Sequence, residues 1–251
     1  MLKKVCNLAQ IAGHAIMDCY FSTKQSKNIF YKSDNTPVTD ADYKSNNIIK
    51  KGLSLISPEI PILSEEQSHN IKNYKNWHTY WLIDPLDGTK EFLKKNGEFT
   101  VNISLIKKGI PVLGVIYAPF FDILYFSNKK EAWKKNKKKG YTKKISVSQT
   151  KKLLLVISRS HPHKKLDIFL NQINTNYKIK KLGSSLKFCY LAEGKVQIYP
   201  RFGNTFIWDT AAGHAILTAA GGTVKTWDGK ELNYSLSQRS SLINSGFLAS
   251  S

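Results

Sequence analysis

Cysteine is scarce in this chain: Cys6, Cys19 and Cys189 are the only three in 251 residues. The number is odd and no pair has C-x-x-C spacing. That excludes a disulfide framework and a cysteine-ligated zinc site, and leaves three reduced, buried thiols. Long apolar runs are missing as well. With no stretch of about 18 apolar residues, nothing in the sequence spans a bilayer. Residues 1–20 carry polar side chains throughout and do not read as a signal peptide. Val5, Leu8, Ala12, Ala15, Ile16 and Cys19 recur near a 3.6-residue period and predict an amphipathic helix instead. No internal repeat or clear linker shows itself. The histidines, His14, His69, His78, His161, His163 and His214, have no metal-ligand spacing. His161-Pro162-His163 reads as a loop after a strand, and His214 as a side chain packed in its helix.

Acid is the other scarcity. Eighteen Asp and Glu stand against 38 Lys and Arg, a formal charge of +20. That balance attracts polyanions: nucleic acid, anionic lipid or phosphorylated small molecules. The excess is nearly all lysine and travels with many Asn and Ile, a mixture produced when a genome drifts toward A and T. Most of the surface charge is read as such drift. The run from Lys134 to Lys152 raises a rival reading, a protein that binds nucleic acid or an anionic membrane. It lacks interleaved aromatics of the stacking kind and matches no nucleic-acid motif. A solvated turn is the plainer reading, and no nucleic-acid partner is expected.

What is present describes a folded enzyme-sized unit. Hydrophobic residues make up 41% of the chain, with five Trp, twelve Tyr and twelve Phe. Thr39 and Asp42 form a capping box ahead of a helix that stops before Pro58. PILSEE and TYWLID read as strands, GTKEFLKKNG as a short helix, and FTVNISLI with IPVLGVIYAP as paired strands. From Leu153 strands and helices alternate, ending in the small-residue helix TAAGHAILTAA stopped by Gly221-Gly222. An α+β half over residues 1–148 is therefore followed by an α/β half over 149–251, the two forming one compact unit.

The few acids fall at the ends of these elements. Asp42 lies in a first helical turn, Glu65 and Glu66 close a strand, Asp84 ends the next strand, Asp87 follows in a turn, and Asp209 opens a helix. Taken singly, each is an ordinary cap or turn residue. Together, convergent carboxylates repel one another unless a cation sits among them, and an all-oxygen set suits Mg²⁺. In WLIDPLDGT, Pro85 stiffens the connection between Asp84 and Asp87, and the Leu86 carbonyl adds a neutral oxygen. Gly88 permits close backbone approach where a helix begins, a place suited to phosphate.

VTDAD, SEE, WLIDPLDGT and WDTAAGHA, in that order and spacing, resemble the inositol monophosphatase superfamily of metal-dependent, lithium-sensitive phosphomonoesterases. The longer stretches ISRSH, GSSLKFC and AEGKVQIYPRFGNTFIWDTAAGHA resemble the branch of that family acting on nucleoside bisphosphates. The resemblance covers nearly the whole chain. It implies a layered α-β-α-β-α sandwich with the site between its halves. It implies at least two Mg²⁺ ions, the first on Glu65, Asp84 and the Leu86 carbonyl, the second on Asp84, Asp87 and Asp209. Glu65, Asp42 and Thr89 would be catalytic, Thr89 relaying a proton from water toward Asp42. Glu65, Leu86, Asp87, Gly88, Thr89 and Asp209 would border the substrate phosphate.

Arg201 stands where inositol phosphatases carry an acid, and so suits a second anionic group. Gly183, Ser184 and Ser185 would line the same wall. The rival reading of Arg201 is a surface ion pair. The implied reaction is hydrolysis of the 3′-phosphate of adenosine 3′,5′-bisphosphate to AMP and phosphate, a step in sulfur assimilation. An inositol or fructose phosphate phosphatase is the alternative. A monomer or homodimer in the cytoplasm is implied, with a basic surface compatible with peripheral contact at an anionic inner membrane.

Overall fold

The computed structural model describes residues 1–22, 29–31, 37–67, 70–148 and 153–251. In chain order these form α1 (Leu2–Phe21), β1 (Ile29–Tyr31), β2 (Pro37–Thr39), α2 (Asp40–Ile56), β3 (Ile62–Ser64), β4 (Thr79–Asp87), α3 (Thr89–Leu93), β5 (Thr100–Lys107), β6 (Ile110–Ala118), β7 (Ile123–Ser127), β8 (Ala132–Asn136) and β9 (Tyr141–Ile145). There follow β10 (Leu153–Ser158), α4 (Lys164–Asn171), β11 (Tyr177–Leu182), α5 (Leu186–Ala192), β12 (Ile198–Arg201), β13 (Thr205–Phe206), α6 (Ile207–Ala219), β14 (Thr223–Lys225), β15 (Ile243–Asn244) and β16 (Phe247–Ser250).

Strands β3 to β9 form one seven-stranded sheet in sequence order, antiparallel except for the β3–β4 pair. The second sheet has five strands in the order β11-β10-β12-β16-β14. The TYWLID run is apolar without alternation because both faces of β4 are covered. Trp81 and Ile83 join the cluster packed under α1 and α2, whereas Tyr80 and Leu82 join the cluster shared with α5, α6 and the second sheet. That second cluster draws on both halves of the sequence: Leu82 and Ile116 pack with Phe188, Trp208 and Ile216. The layers are thus α1 with α2, the seven-stranded sheet, α5 with α6, the five-stranded sheet, and a thin outer layer of α4, whose Phe169 ring meets Phe202 and Trp227. The expected division at 148/149 falls beside residues 149–152, which lie outside the described set, as do Lys151 and Lys152 of the basic run.

Small residues let α6 lie close against β6. A methyl group on Gly114 would meet the Ala212 carbonyl oxygen at 2.4 Å and the Ala215 Cβ at 2.9 Å. The WDTAAGHA stretch is therefore small because a helix must approach a sheet. His214 is buried in this helix, its Nδ1 3.2 Å from the Tyr234 hydroxyl.

One expectation needs correction. Asp84 does not end its strand, and Asp87 is not in a turn: β4 runs through Pro85 to Asp87. Asp84 pairs with Asn102 and Asp87 with Thr100, so three steps on β4 match two on β5. This is a one-residue bulge, the setting in which a proline is tolerated inside a sheet. Residues three apart on a regular strand point to opposite faces. The extra residue reverses that parity, and both carboxylates line one cleft.

Candidate active site

The cleft lies between the two sheets at the bulge and has a volume of about 880 Å³. Glu65 follows β3 directly, and its N–H donates to the Ile83 carbonyl at 3.2 Å, which seats it beside Asp84 where β3 ends against β4. Asp209 comes from the first turn of α6, where one of its oxygens accepts the Phe206 N–H at 2.9 Å. Carboxylate oxygens of Glu65, Asp84 and Asp209 all lie within 4.8 Å of one another. Asp87 sits beside them, fixed by the Ser185 N–H at 2.6 Å and the Asn102 amide at 3.2 Å. The reading of each acid as a cap and as a ligand is not exclusive: Asp209 caps α6 and faces the cluster.

The cluster is electrostatically uneasy. Burial first, then repulsion from Glu65, Asp87 and Asp209, holds the Asp84 carboxyl well above the ordinary range. Burial followed by Asp87 and Glu65 does the same to Asp209. Burial also raises Asp87, opposed by the Lys187 ammonium and its two hydrogen bonds. Buried carboxylates that disfavour their own charge, built from oxygen donors alone, fit a hard divalent cation. The Leu86 side chain is buried; its N–H donates to Asp84 at 3.1 Å, and its carbonyl oxygen lies 3.5 Å from the Thr89 hydroxyl.

Asp42 stands behind this shell. It closes the expected capping box, accepting the Thr39 N–H at 2.7 Å and the Thr39 hydroxyl at 2.6 Å. The Thr89 hydroxyl donates to its other oxygen at 3.2 Å. Burial pushes Asp42 up to about 6 against those hydrogen bonds. The helix that carries it is pinned to the bulge, because the Ser45 hydroxyl donates to the Pro85 carbonyl at 2.7 Å. Gly88 has φ +93, and a Cβ there would stand 3.2 Å from the Glu98 carbonyl oxygen and 3.3 Å from the Ser184 Cβ. Helix α3 has only five residues, Thr89–Leu93, shorter than GTKEFLKKNG suggests.

Gly183, Ser184, Ser185 and Arg201 all line the cleft. The Gly183 N–H is held by Glu98 at 2.7 Å, and Glu98 is gripped in turn by both arms of Arg159 at 2.7 Å. Arg201 makes no ion pair among the described residues; its guanidinium donates to the Gly203 and Asn204 carbonyls at 3.1 and 2.9 Å.

Three contributors escaped the sequence reading. Lys187 is buried, lines the cleft and donates to the Ser184 carbonyl at 2.6 Å. Burial pushes it down to about 8, against the pull of Asp87. Helix α5 is covered almost all round, so no polar face marked this lysine as inward-pointing; its position three residues after Ser184 was the available clue. Asn102 is a polar residue in an apolar strand that binds Asp87. His161, read as a loop residue, lines the cleft with its Nδ1 3.3 Å from the Ser158 hydroxyl. His163 caps α4, accepting the Lys165 N–H at 3.2 Å, and His69 lies outside the described residues.

The chain belongs to the inositol monophosphatase family, whose model matches residues 1–250. Its similarities then narrow. It is 66% identical over 250 residues to the 3′(2′),5′-bisphosphate nucleotidase CysQ of Buchnera aphidicola from Acyrthosiphon pisum, covering 100% of this chain and 93% of the relative. To the protein of that name from Escherichia coli strain K12 it is 49% identical, covering 100% and 99%. The crystal structure of CysQ from Bacteroides thetaiotaomicron superposes with a TM-score of 0.86 at 34% identity, covering 99% of this chain and 96% of that one. Among the described residues no helix is long and apolar enough to cross a membrane.

Proposed function

We propose that this chain is a Mg²⁺-dependent phosphomonoesterase that removes the 3′-phosphate of adenosine 3′,5′-bisphosphate, giving AMP and inorganic phosphate. The observation that carries this reading is one cleft that holds both a carboxylate cluster suited to metal and positive side chains suited to phosphate. Glu65, Asp84 and Asp209 bring carboxylate oxygens within 4.8 Å of one another, and Asp87, Lys187 and Arg201 line the same cleft. A substrate with two phosphates matches that division: one held through metal, one by the guanidinium fork. The printed names of the similar nucleotidases support the same substrate class.

Glu65, Asp84 and the Leu86 carbonyl would hold one Mg²⁺, and Asp84, Asp87 and Asp209 a second. Bound there, the metal supplies positive charge against phosphoryl oxygens and makes a nearby water more acidic. Asp87, Gly88 and Thr89 border the 3′-phosphate. Thr89 is no base; its hydroxyl relays a hydrogen bond while Asp42 accepts the proton. Asp42 suits that task, since a carboxyl raised to about 6 is both ionised at neutral pH and more basic than an exposed one. Ser185 and Asn102 keep Asp87 oriented. Residues 1–148 would supply most ligands and 149–251 would complete the site with Asp209, Lys187 and Arg201.

The test is phosphate release from adenosine 3′,5′-bisphosphate and from inositol 1-phosphate, each with and without magnesium. Magnesium-dependent release with a clear preference for the bisphosphate is expected. Equal turnover in excess chelator would end the metal reading; a preference for inositol 1-phosphate would favour the sugar phosphatase alternative.

A further inference from the structure

A second cavity, of about 250 Å³, opens between the seven-stranded sheet and the edge strand β11, beside α5. Its walls carry Lys134, Arg159, Lys180, Lys181 and Lys195, with the rings of Tyr125 and Tyr190. Two carboxylates answer these five cations. Glu193 takes Lys134 at 2.7 Å and Lys195 at 3.2 Å, and Glu98 takes Arg159 at 2.7 Å. Three positive charges remain. Lys180 pairs with no carboxylate among the described residues; its ammonium lies 5.2 Å from the Tyr190 ring centroid, while that of Lys195 lies 4.5 Å from the same ring. Two ammonium groups thus gather over one ring, repelling each other across it. Arg159 spends Nε and Nη2 on Glu98 and the Lys181 carbonyl, and among the described residues no bond uses its Nη1.

We propose that this cavity is an anion site that takes a compact, doubly charged oxyanion, hydrogen phosphate or sulfate, between Arg159, Lys180 and Lys195. The surplus of positive charge attracts such an ion, and the volume lies below the ~300–1,000 Å³ of pockets for drug-sized ligands. Low-dielectric walls of aromatic and aliphatic side chains strengthen the field of the cations at the mouth. The site shares no cation with the carboxylate cluster, and so does not depend on the reading of that cluster.

The experiment is calorimetric titration of the full chain with inorganic phosphate and, separately, sulfate at constant ionic strength, with and without magnesium. One binding event for at least one of the two ions is expected in both conditions, and whichever ion binds identifies the occupant. Lys180→Glu, and Lys180→Ala combined with Lys195→Ala, should each weaken it at least tenfold, whereas Arg201→Ala should leave it unchanged. These lysines are exposed, so the variants fold, which a thermal melt verifies. No magnesium-independent event for either ion, an event unmoved by both lysine variants, or one abolished by Arg201→Ala overturns the proposal.

Discussion

The Thr89 hydroxyl stands 3.2 Å from the Asp42 carboxylate, between the cleft and an acid that is itself only 1% exposed. Asp42 can therefore act on the cleft only through Thr89. Thr89→Ser should keep most turnover, while Thr89→Ala and Asp42→Asn should each lose about 10²–10⁴-fold, the range for one proton-transfer group. In the wild type, turnover should rise with pH through about 6 as Asp42 ionises. A pH–rate profile measured on Asp42→Asn should lose that limb; an unchanged limb assigns it to another group.

Metal removal has a stability consequence with a definite sign. Asp42 is raised to about 6, and Asp84, Asp87 and Asp209 also lie above the ordinary carboxylate value. Between their unfolded and folded values the native state binds more protons, so stability falls as pH rises through that window. In chelator, the melting temperature should drop from pH 4 toward 6 and above through this contribution. Magnesium should restore most of the loss at pH 7. A magnesium increment at pH 7 no larger than at pH 4 contradicts the account.

Asp84→Asn removes one charge from a crowd. It should abolish magnesium-dependent turnover and the magnesium-induced gain in melting temperature. The metal-free variant should be no less stable than metal-free wild type at pH 7, because burial and repulsion both disfavour the lost charge. A variant that keeps wild-type activity refutes the ligand assignment.

Arg201→Glu separates the two phosphates. A charge-assisted hydrogen bond is worth about 1.5–3 kcal/mol, so the bisphosphate should lose about ten- to a hundredfold or more in kcat/KM. Inositol 1-phosphate should change far less. Equal losses on both substrates would remove Arg201 from substrate recognition.

The shared core predicts that the two halves unfold together. Phe188 is 2% exposed and packs against the rings of Tyr199 and Phe247, at centroid distances of 5.4 and 5.5 Å. Phe188→Ala should cost about 3–5 kcal/mol in denaturant unfolding. A single transition is expected, and two resolved transitions would show halves that fold apart.

The sequence by itself determined which acids are present and in which order, and it placed Glu65 at the close of a strand and Asp209 at the opening of a helix. Thr39 and Asp42 announced their helix through a local hydrogen-bond pattern, and Asp84-Pro85-Leu86-Asp87 announced unusual backbone, because both effects act within a few residues. Only the tertiary structure decided that the unusual backbone is a bulge inside a strand, since parity depends on the register against β5. It also decided that Lys187 lines the cleft and that Arg201 pairs with no carboxylate among the described residues. These are contacts between segments far apart in the chain, set by how the two sheets close on α5 and α6, and no local pattern encodes them.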